Sequence, residues 1–368
     1  MTRKIKIGII GMGNICPIYI KTLKSFEIVD LAACADIDEE KAMKVAREFG
    51  VPRVCSITDL LSDAEIEIVL NLTPPGAHSE VSLRVLQNRK SVYSEKPLAL
   101  TRESAQQMIG LARENQLRIG CAPDTFLGAG LQTCRKLIDE GAIGQPIATT
   151  AFMLNHGHEN WHPDPEFFYK AGGGPLFDMG PYYLTTLVSL LGPAVRVSGS
   201  SRVSFAERTI GSLPKRGEKI KVEIPTHITG LLEFANGVIG TIITSFDVWG
   251  HTLPHIEIYG SHGTLFLPDP NTFGGPVSLL QSGANKREEI SLIPGYAGNS
   301  RGLGVADMAT AIHSGRMHRA NEQLASHVLD IMLAILESAS IGRHLSLASS
   351  CFRPAPLPTN LQHGYFDD

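Results

Sequence analysis

This sequence has no excess of positive charge and no long apolar run, and each absence excludes a class of protein. Its 33 lysine and arginine residues are outnumbered by 37 aspartate and glutamate residues, which gives a formal net charge of −4. We therefore expect no nucleic-acid partner, since such partners are held largely by basic side chains. We find no segment long and apolar enough to predict a bilayer-spanning helix, so we expect no membrane partner.

Cysteine is also sparse, and its positions follow no metal-binding pattern. The six residues are scattered along the chain: Cys16, Cys34, Cys55, Cys121, Cys134 and Cys351. We interpret them as free thiols in a reducing cytosol, and we predict no metal site. The N-terminus has basic residues before an apolar run, as a signal peptide does, but two glycines and a proline soon break that run. We predict a cytoplasmic protein.

The order of the predicted elements divides the chain in two. Over residues 1–122, short apolar strands alternate with helices, which is typical of an α/β fold with a doubly wound parallel sheet. Val54-Cys55 is expected to be one of these strands. Over residues 123–368, strands dominate, and Asn236-Gly237 predicts a tight hairpin between two of them. We predict that this second part is a mostly antiparallel α+β domain with an extended C-terminal tail.

The first forty residues read strand, glycine turn, helix, strand and acid. Backbone N–H groups at such a helix N-terminus bind a dinucleotide pyrophosphate, and glycines let it approach closely. We therefore assign cofactor binding to the turn residues Gly11, Gly13, Asn14 and Ile15. Asp36 follows the second strand, about twenty residues downstream, where its carboxylate can accept hydrogen bonds from a ribose 2′-hydroxyl.

The same segment indicates which dinucleotide binds. Asp36 and Asp38 would repel a 2′-phosphate and no lysine or arginine adjoins them, so we predict NAD rather than NADP. The third small position of the glycine pattern is Cys16, which is still small enough for the helix to lie near the strand. The alternative is an ordinary strand-to-helix turn that binds nothing.

A lysine follows one of the predicted parallel strands. Glu95-Lys96-Pro97 stands at the carboxyl end of that strand, the edge at which open α/β sheets bind ligands. An ammonium there can hold a substrate hydroxyl and stabilise a developing alkoxide; the alternative is a solvated lysine at a strand end. Thr73 and His78 follow the preceding strand, and with Glu95 and Lys96 they complete the predicted cofactor contacts. His78 could equally be an ordinary residue at a helix start.

A second candidate cluster follows three glycines in the predicted second domain. Asp178 and Tyr182 are four residues apart, so they can share one side of the start of a helix that we expect over Tyr182–Leu191. A phenol ordinarily has a pKa of about 10. A nearby lysine and the positive end of the helix would lower that pKa. Lys96 beside Tyr182 would then form a proton-transfer pair.

The segment from His158 to His162 spells H-E-x-x-H, the pattern of zinc metalloproteases. That chemistry needs both histidines one turn apart on a helix, whereas a glycine before the pattern and two prolines after it oppose a regular helix. We interpret the segment and the residues just before it as a loop near Asp178, where His156, Trp161 and His162 line a substrate pocket, the indole against a sugar face. The zinc site is the alternative. Trp249 is a further candidate for the pocket rim.

Three motifs in this order resemble the Gfo/Idh/MocA oxidoreductases: the glycine turn, Glu95-Lys96-Pro97, and the segment from Gly172 to Gly180. The resemblance covers essentially the whole chain. It implies an N-terminal Rossmann domain and a C-terminal α+β domain built on a large, mostly antiparallel open sheet that commonly makes subunit contacts. It also implies that Lys96 is a catalytic lysine and Asp178 a substrate-binding aspartate. Tyr182 stands where many members carry histidine, as in the sugar-oxidoreductase branches, which argues against an inositol dehydrogenase.

The sequence thus predicts an NAD-dependent dehydrogenase acting on a secondary hydroxyl of a sugar, glycoside or cyclic polyol. Tyr182 would take the hydroxyl proton, Lys96 would hold the oxygen, and Asp178 would orient a neighbouring hydroxyl. Two alternatives stay open: a glycosidase of the same fold with tightly held NAD, and a non-catalytic regulator that senses a sugar or nucleotide. From the resemblance we expect a homodimer or homotetramer.

Overall fold

Two large sheets organise the chain. The structure is a computed structural model that describes residues 3–361 and 364–366. Within these residues, the first large sheet has five strands and the second has nine. The ends of the predicted domains, at residues 1–2 and 367–368, and part of the predicted tail, at residues 362–363, lie outside the described residues.

The first sheet is parallel, in the order β2-β1-β3-β4-β5. Its strands are apolar and mostly buried, as in sheets that are covered on both faces. They are β1 (Ile5–Ile10), β2 (Val29–Ala35), β3 (Ile68–Asn71), β4 (Ser91–Ser94) and β5 (Ile119–Cys121). The helices between them are α1 (Cys16–Leu23), α2 (Glu39–Phe49), α3 (Ile57–Ser62), α4 (His78–Gln87) and α5 (Arg102–Glu114). After β1 the chain passes to one side of that strand and forms β2, and after β2 it crosses to the other side and forms β3. This reversal opens a ligand crevice at the carboxyl ends of β1 and β3.

The strand predicted at Val54-Cys55 is wrong. Val54 makes only an isolated parallel bridge to Cys34 beside β2. The bridge cannot extend into a strand, because Ser56 already caps α3 by accepting a hydrogen bond from the Asp59 N–H.

The second sheet is mixed and mostly antiparallel, in the order β15-β14-β13-β12-β6-β11-β10-β7-β16, with β6 and β11 parallel. Its strands are β6 (Pro146–Leu154), β7 (Ala194–Arg202), β10 (His227–Phe234), β11 (Ile239–Ser245), β12 (Ile256–Gly260), β13 (Gly263–Leu267), β14 (Val277–Gln281), β15 (Glu288–Ile290) and β16 (Leu345–Ser346). The predicted hairpin at Asn236-Gly237 joins β10 to β11. A separate two-stranded ribbon pairs β8 (Glu207–Thr209) with β9 (Lys219–Lys221). The helices are α6 (Ala129–Asp139), α7 (Gly174–Leu191), α8 (Leu303–Ser314) and α9 (Glu322–Ile341).

Helix α7 begins eight residues before the predicted Tyr182. Pro175, rather than Pro181, occupies its first turn, where a missing N–H costs nothing. Pro181 lies inside the helix, which tolerates it at the cost of one backbone hydrogen bond. Tyr182 is therefore in the middle of α7, away from the positive helix end, while Asp178 lies one turn before it on the same side.

Helix α9 corrects the expectation that no segment could cross a membrane. By length and composition it could, with a mean hydropathy of 1.5 over its most apolar stretch. It instead packs along β7 and α7, and 56% of that stretch is buried. Ile335 of α9 fits over Gly199 and Gly230, where any Cβ would collide with it. This helix is part of the core.

The chain returns to the first sheet after completing most of the second. Helix α8 packs against α1 and β5. The Cys121 N–H donates to the Ala320 carbonyl at 3.1 Å, and Gly120 forms a bridge with Asn321. This return segment brings the loop before α8 to the crevice between the sheets.

Candidate active site

The glycine turn after β1 has the conformation that its sequence predicts. Gly11 has φ +98°, and a Cβ there would lie 2.6 Å from the Leu72 carbonyl carbon, so only glycine fits where β1 and β3 end side by side. Among residues 3–361 and 364–366, no acceptor is found for the N–H groups of Gly13, Asn14 and Ile15, and α1 has no side-chain cap. These donors at a helix N-terminus are available to an anionic group.

Asp36 is fixed beside this turn. Its Oδ2 accepts a hydrogen bond from the Met12 N–H at 2.6 Å and its Oδ1 accepts one from the Asp38 N–H at 3.0 Å. Each oxygen keeps a further lone pair for a ribose hydroxyl. A cation also lies near the turn, which the sequence did not predict. The Lys41 ammonium on α2 is 4.0 Å from the position that a Cβ on Gly13 would take.

His78 lies behind the crevice wall rather than on its surface. It is 1% exposed, its Nδ1 faces the Pro97 carbonyl at 2.8 Å, and its Nε2 faces the Thr73 carbonyl at 2.7 Å. Burial lowers the pKa of this imidazole, and the two carbonyls raise it by less. A neutral imidazole has one N–H, so it donates to one of these carbonyls while its other nitrogen only faces the second. Both nitrogens nevertheless point at the loops after β3 and β4, so His78 presents neither of them to the crevice.

Thr73 and Glu95 line the same crevice but are also held by protein groups. The Thr73 hydroxyl donates to Asn71 Oδ1 at 2.7 Å. Glu95 Oε1 accepts from the Tyr19 hydroxyl at 2.6 Å, and its Oε2 accepts from the Lys96 N–H at 3.0 Å. The fixed carboxylate of Glu95 sets the turn from which the Lys96 side chain leaves.

Lys96 crosses to the second part of the chain and contacts Asp178. Its Nζ donates to Asp178 Oδ1 at 2.9 Å and to the Asp178 carbonyl at 2.5 Å. Burial is the largest single effect and works to lower the pKa of the ammonium, but the charge and hydrogen bond of Asp178, together with Tyr182 and Glu95, outweigh it and raise the pKa. Lys96 therefore stays charged, and one of its three N–H groups remains for a ligand.

The other oxygen of Asp178 meets His158. The distance from His158 Nε2 to Asp178 Oδ2 is 3.2 Å, while no partner is found for His158 Nδ1 among the described residues. This geometry assigns the proton to Nε2. Burial works to raise the pKa of the Asp178 carboxyl, but Lys96 and His158 outweigh it, and the carboxyl stays ionised. The sequence predicts this loop near Asp178 but assigns no role to His158 other than the alternative of a zinc ligand.

Tyr182 lies between two cations. Lys96 Nζ is 5.2 Å from the centroid of its ring and Arg301 Cζ is 6.0 Å from it. Burial raises the pKa of the phenol, and the charges of Lys96 and Arg301 lower it by less. The expectation of a lowered pKa is therefore wrong, because it counted the cation and neglected burial. Arg301 itself, in the loop before α8, was not found from the sequence.

The H-E-x-x-H segment is not a helix and its glutamate is occupied. Residues 158–161 form turns, and Glu159, which is 3% exposed, pairs with Arg208 at 3.0 Å and accepts from the Tyr169 hydroxyl. His162 accepts from the Asp164 N–H at 3.0 Å through Nδ1 and packs on Phe168. No cluster of three metal-ligating residues is found within the described part of the chain.

Trp161 stands at the rim of the candidate site. Its ring is 65% exposed and lies 5.0 Å from the His158 ring, centroid to centroid. The structure therefore brings together Lys96, Asp178 and Tyr182, with Trp161 beside them. His162, the next residue of the same loop, packs on Phe168 instead.

Family models match both parts of the chain. Residues 5–122 match the model of an oxidoreductase family with an NAD-binding Rossmann fold, and residues 131–266 match the Gfo/Idh/MocA C-terminal domain. The chain belongs to the Gfo/Idh/MocA oxidoreductase family. This confirms the resemblance, and it confirms that the protein is an enzyme with NAD as its cofactor.

Individual relatives agree with this membership. A myo-inositol 2-dehydrogenase of Thermotoga maritima is 24% identical over 71% of this chain and 74% of its own. A 1,5-anhydro-D-fructose reductase of Ensifer adhaerens is 27% identical over 70% of this chain and 74% of its own. A solved levoglucosan dehydrogenase in complex with NADH and levoglucosan superposes with a TM-score of 0.79, at 21% identity, over 94% of this chain and 99% of that chain. This likeness confirms the predicted fold class.

The residues at the glycine turn fit NAD. The open N–H groups of Gly13, Asn14 and Ile15 would hold the pyrophosphate, and Asp36 would hold the adenosine ribose. No side chain fills the space over Gly13, where Lys41 is the nearest group at 4.0 Å. Lys96 follows β4 at the same edge of the sheet, where the nicotinamide end would lie.

Proposed function

We propose that this oxidoreductase transfers a hydride between NAD and a secondary hydroxyl or ketone of a sugar, glycoside or cyclic polyol. The observation that carries the proposal is the meeting of an ammonium, a carboxylate and a phenol from separate parts of the chain, with Lys96 Nζ 2.9 Å from Asp178 and 5.2 Å from the Tyr182 ring. The relatives named above, which act on inositol and on anhydrosugars, support this class of substrate.

Each group of this cluster has a separate task. NAD, when bound, supplies the hydride acceptor. The free N–H of Lys96 holds the reacting oxygen and stabilises negative charge on it. Asp178, ionised and held by Lys96 and His158, accepts a hydrogen bond from a neighbouring hydroxyl and so fixes which carbon faces the cofactor.

Tyr182 moves the proton. Because burial keeps its phenol protonated at neutral pH, Tyr182 is ready to donate to the oxygen of a ketone in the reductive direction. In the oxidative direction it must first lose that proton, so oxidation should accelerate as the pH rises. Lys96 cannot replace it as a base, because its own pKa is raised.

A panel of sugars and polyols with NAD, followed at 340 nm, tests the proposal. We expect at least one saccharide to give NADH, with a rate that rises between pH 7 and pH 10. Cleavage of a glycoside without a change at 340 nm would indicate the glycosidase instead. Saccharide binding with neither reaction would indicate a sensor.

We also propose that the protein forms a homodimer or homotetramer through the second sheet. Alternate residues of β10 and β11 are buried against α7 and α9, and the others face outward, where Leu231 is 46% exposed and Ile239 58%. Large apolar side chains exposed on a sheet face favour contact with a second copy. Light scattering should give at least twice the chain mass of 39.8 kDa, and Leu231→Glu should reduce it; a monomeric wild-type protein would contradict the proposal.

A further inference from the structure

Both tryptophans of this chain are exposed, although this residue type is usually buried. Trp161 is 65% exposed and Trp249 is 83% exposed. Trp161 lies after β6 and Trp249 after β11. These strands are parallel neighbours, so both loops leave the second sheet at the same end of its strands. Exposed indoles grouped at one end indicate a binding surface.

Trp249 is held flat against His156. Their ring centroids are 3.4 Å apart and their planes differ by 15°. One face of the indole is therefore covered, and the rest of the ring is open to solvent. We call this pair the His156–Trp249 stack.

The stack rests on a buried ion cluster. His156 Nε2 is 3.1 Å from Arg208 Nη1, and Arg208 pairs with Glu159 at 3.0 Å and with Asp247 at 2.7 Å. These three charged side chains are almost fully buried, and mutual pairing is what permits that burial. Paired on both sides, Arg208 fixes the imidazole under the indole, so a ligand would not have to order the ring when it binds.

The stack is continuous with the candidate active site. His156 is two residues from His158, a chain distance of at most ~7 Å. His158 in turn contacts Asp178 at 3.2 Å and lies 5.0 Å from Trp161. The Val248 N–H donates to the Asn155 carbonyl at 3.0 Å, which ties the two loops together. A ligand that occupies the cluster at Asp178 and extends outward meets the two indoles.

We propose that the His156–Trp249 stack is a second saccharide subsite, for the ring or substituent joined to the sugar that reacts at Lys96, Asp178 and Tyr182. The apolar C–H face of a sugar ring packs on a flat aromatic surface, and the polar rim of the sugar stays in water. The substrate class is then a disaccharide or a glycoside with a bulky substituent, rather than a free monosaccharide. This inference rests on the proposed function for the identity of the reacting ring.

Intrinsic fluorescence tests the subsite without turnover. Trp161→Phe leaves Trp249 as the sole indole of the chain. We expect its emission to change saturably with cellobiose or maltose, and half-saturation to need a concentration roughly tenfold lower than with glucose. Emission that responds equally to glucose and to the disaccharides, or to none of them, would overturn the subsite.

Steady-state kinetics of the protein that keeps Trp161 provide a second test. Trp249→Ala should lower the ratio of kcat/KM for the disaccharides to kcat/KM for glucose by about tenfold. The control is Phe352→Ala, which removes an aromatic ring that is 85% exposed at the other end of α7, where Arg353 contacts Ser189. Phe352→Ala should leave the ratio unchanged.

The outcomes separate the subsite from the proposed function. If disaccharides change Trp249 emission but no saccharide yields NADH, the subsite stands and the dehydrogenase proposal fails. If glucose yields NADH and Trp249→Ala leaves the ratio unchanged, the subsite fails alone. A fall in oligomeric mass in Trp249→Ala would make the stack a subunit contact and would also overturn the subsite.

Discussion

The glycine turn and the candidate catalytic cluster of Lys96, Asp178 and Tyr182 face the same crevice, yet they are built in opposite ways. At the turn, the binding groups are backbone N–H groups of consecutive residues, fixed by the local path of the chain from β1 to α1. At the cluster, the groups are side chains from distant segments, held by buried charges on one another. Local backbone geometry suits a cofactor shared by many enzymes, whereas a side-chain cluster can change its substrate by changing single residues.

Removing the charge of Lys96 should reduce turnover more than any other substitution that we propose, while NADH binding at the glycine turn is kept. Lys96→Met keeps the length of the side chain and removes its charge. We expect kcat to fall about 10³-fold, because the substrate oxygen loses its charged donor. NADH binding, measured by fluorescence, should change little. Lys170→Met, at an exposed lysine, is the control, and a Lys96→Met enzyme with full activity would remove Lys96 from the mechanism.

Tyr182→Phe removes only the proton donor of the cluster. We expect kcat to fall about 10²-fold, with unchanged NADH affinity. Tyr183→Phe is a matched control, since its hydroxyl donates to the Phe152 carbonyl at 3.2 Å and serves packing. That variant should keep its turnover and lose about 1 kcal/mol of unfolding free energy. Equal turnover in the two variants would contradict the assignment of Tyr182.

Sequence motifs could indicate the residues changed in these two tests. Other features of the candidate site depend on contacts between distant parts of the chain, which motifs do not show. The turn residues, Lys96 and Asp178 follow local patterns, so their positions could be predicted. Arg301 could not, because its loop carries no motif and reaches Tyr182 only through the return of the chain to the first sheet. The pKa direction of Tyr182 needed its burial, which follows from the packing of α7 and not from its neighbours in sequence.

Asp124, where the two parts of the chain meet, should make the free energy of unfolding depend on pH, an effect that we predict for neither the glycine turn nor the cluster. Asp124 accepts hydrogen bonds from the N–H groups of Gly302 and Gly304, and burial raises its pKa to about 6. A carboxyl with a raised folded-state pKa contributes stability below its unfolded pKa of about 3.9, and loses it as the pH rises through 6. Asp124→Asn removes this titration and keeps an acceptor oxygen.

Urea unfolding from pH 4 to pH 8 measures the difference. Relative to the variant, the wild-type protein should lose about 2 kcal/mol of unfolding free energy between pH 4 and pH 7. A constant difference between the two proteins across this range would show that Asp124 titrates normally.

The smallest expected effect concerns the turn. Asp36→Ala removes the acceptor for the ribose and leaves the N–H groups of Gly13, Asn14 and Ile15 in place. We expect the Kd for NADH to rise about tenfold, with kcat at saturating cofactor nearly unchanged. A fall in kcat with unchanged Kd would mean that the turn and the cluster are not separable.

The return of the chain over residues 303–321 determines how the cofactor half could be isolated. Ala320 and Asn321 pair with the outer edge of β5, and α8 covers the adjacent surface. A fragment cut after residue 122 would expose that strand edge and an uncovered apolar surface, and both promote self-association. A soluble nucleotide-binding fragment would have to carry the later segment as well, joined by a linker across the gap.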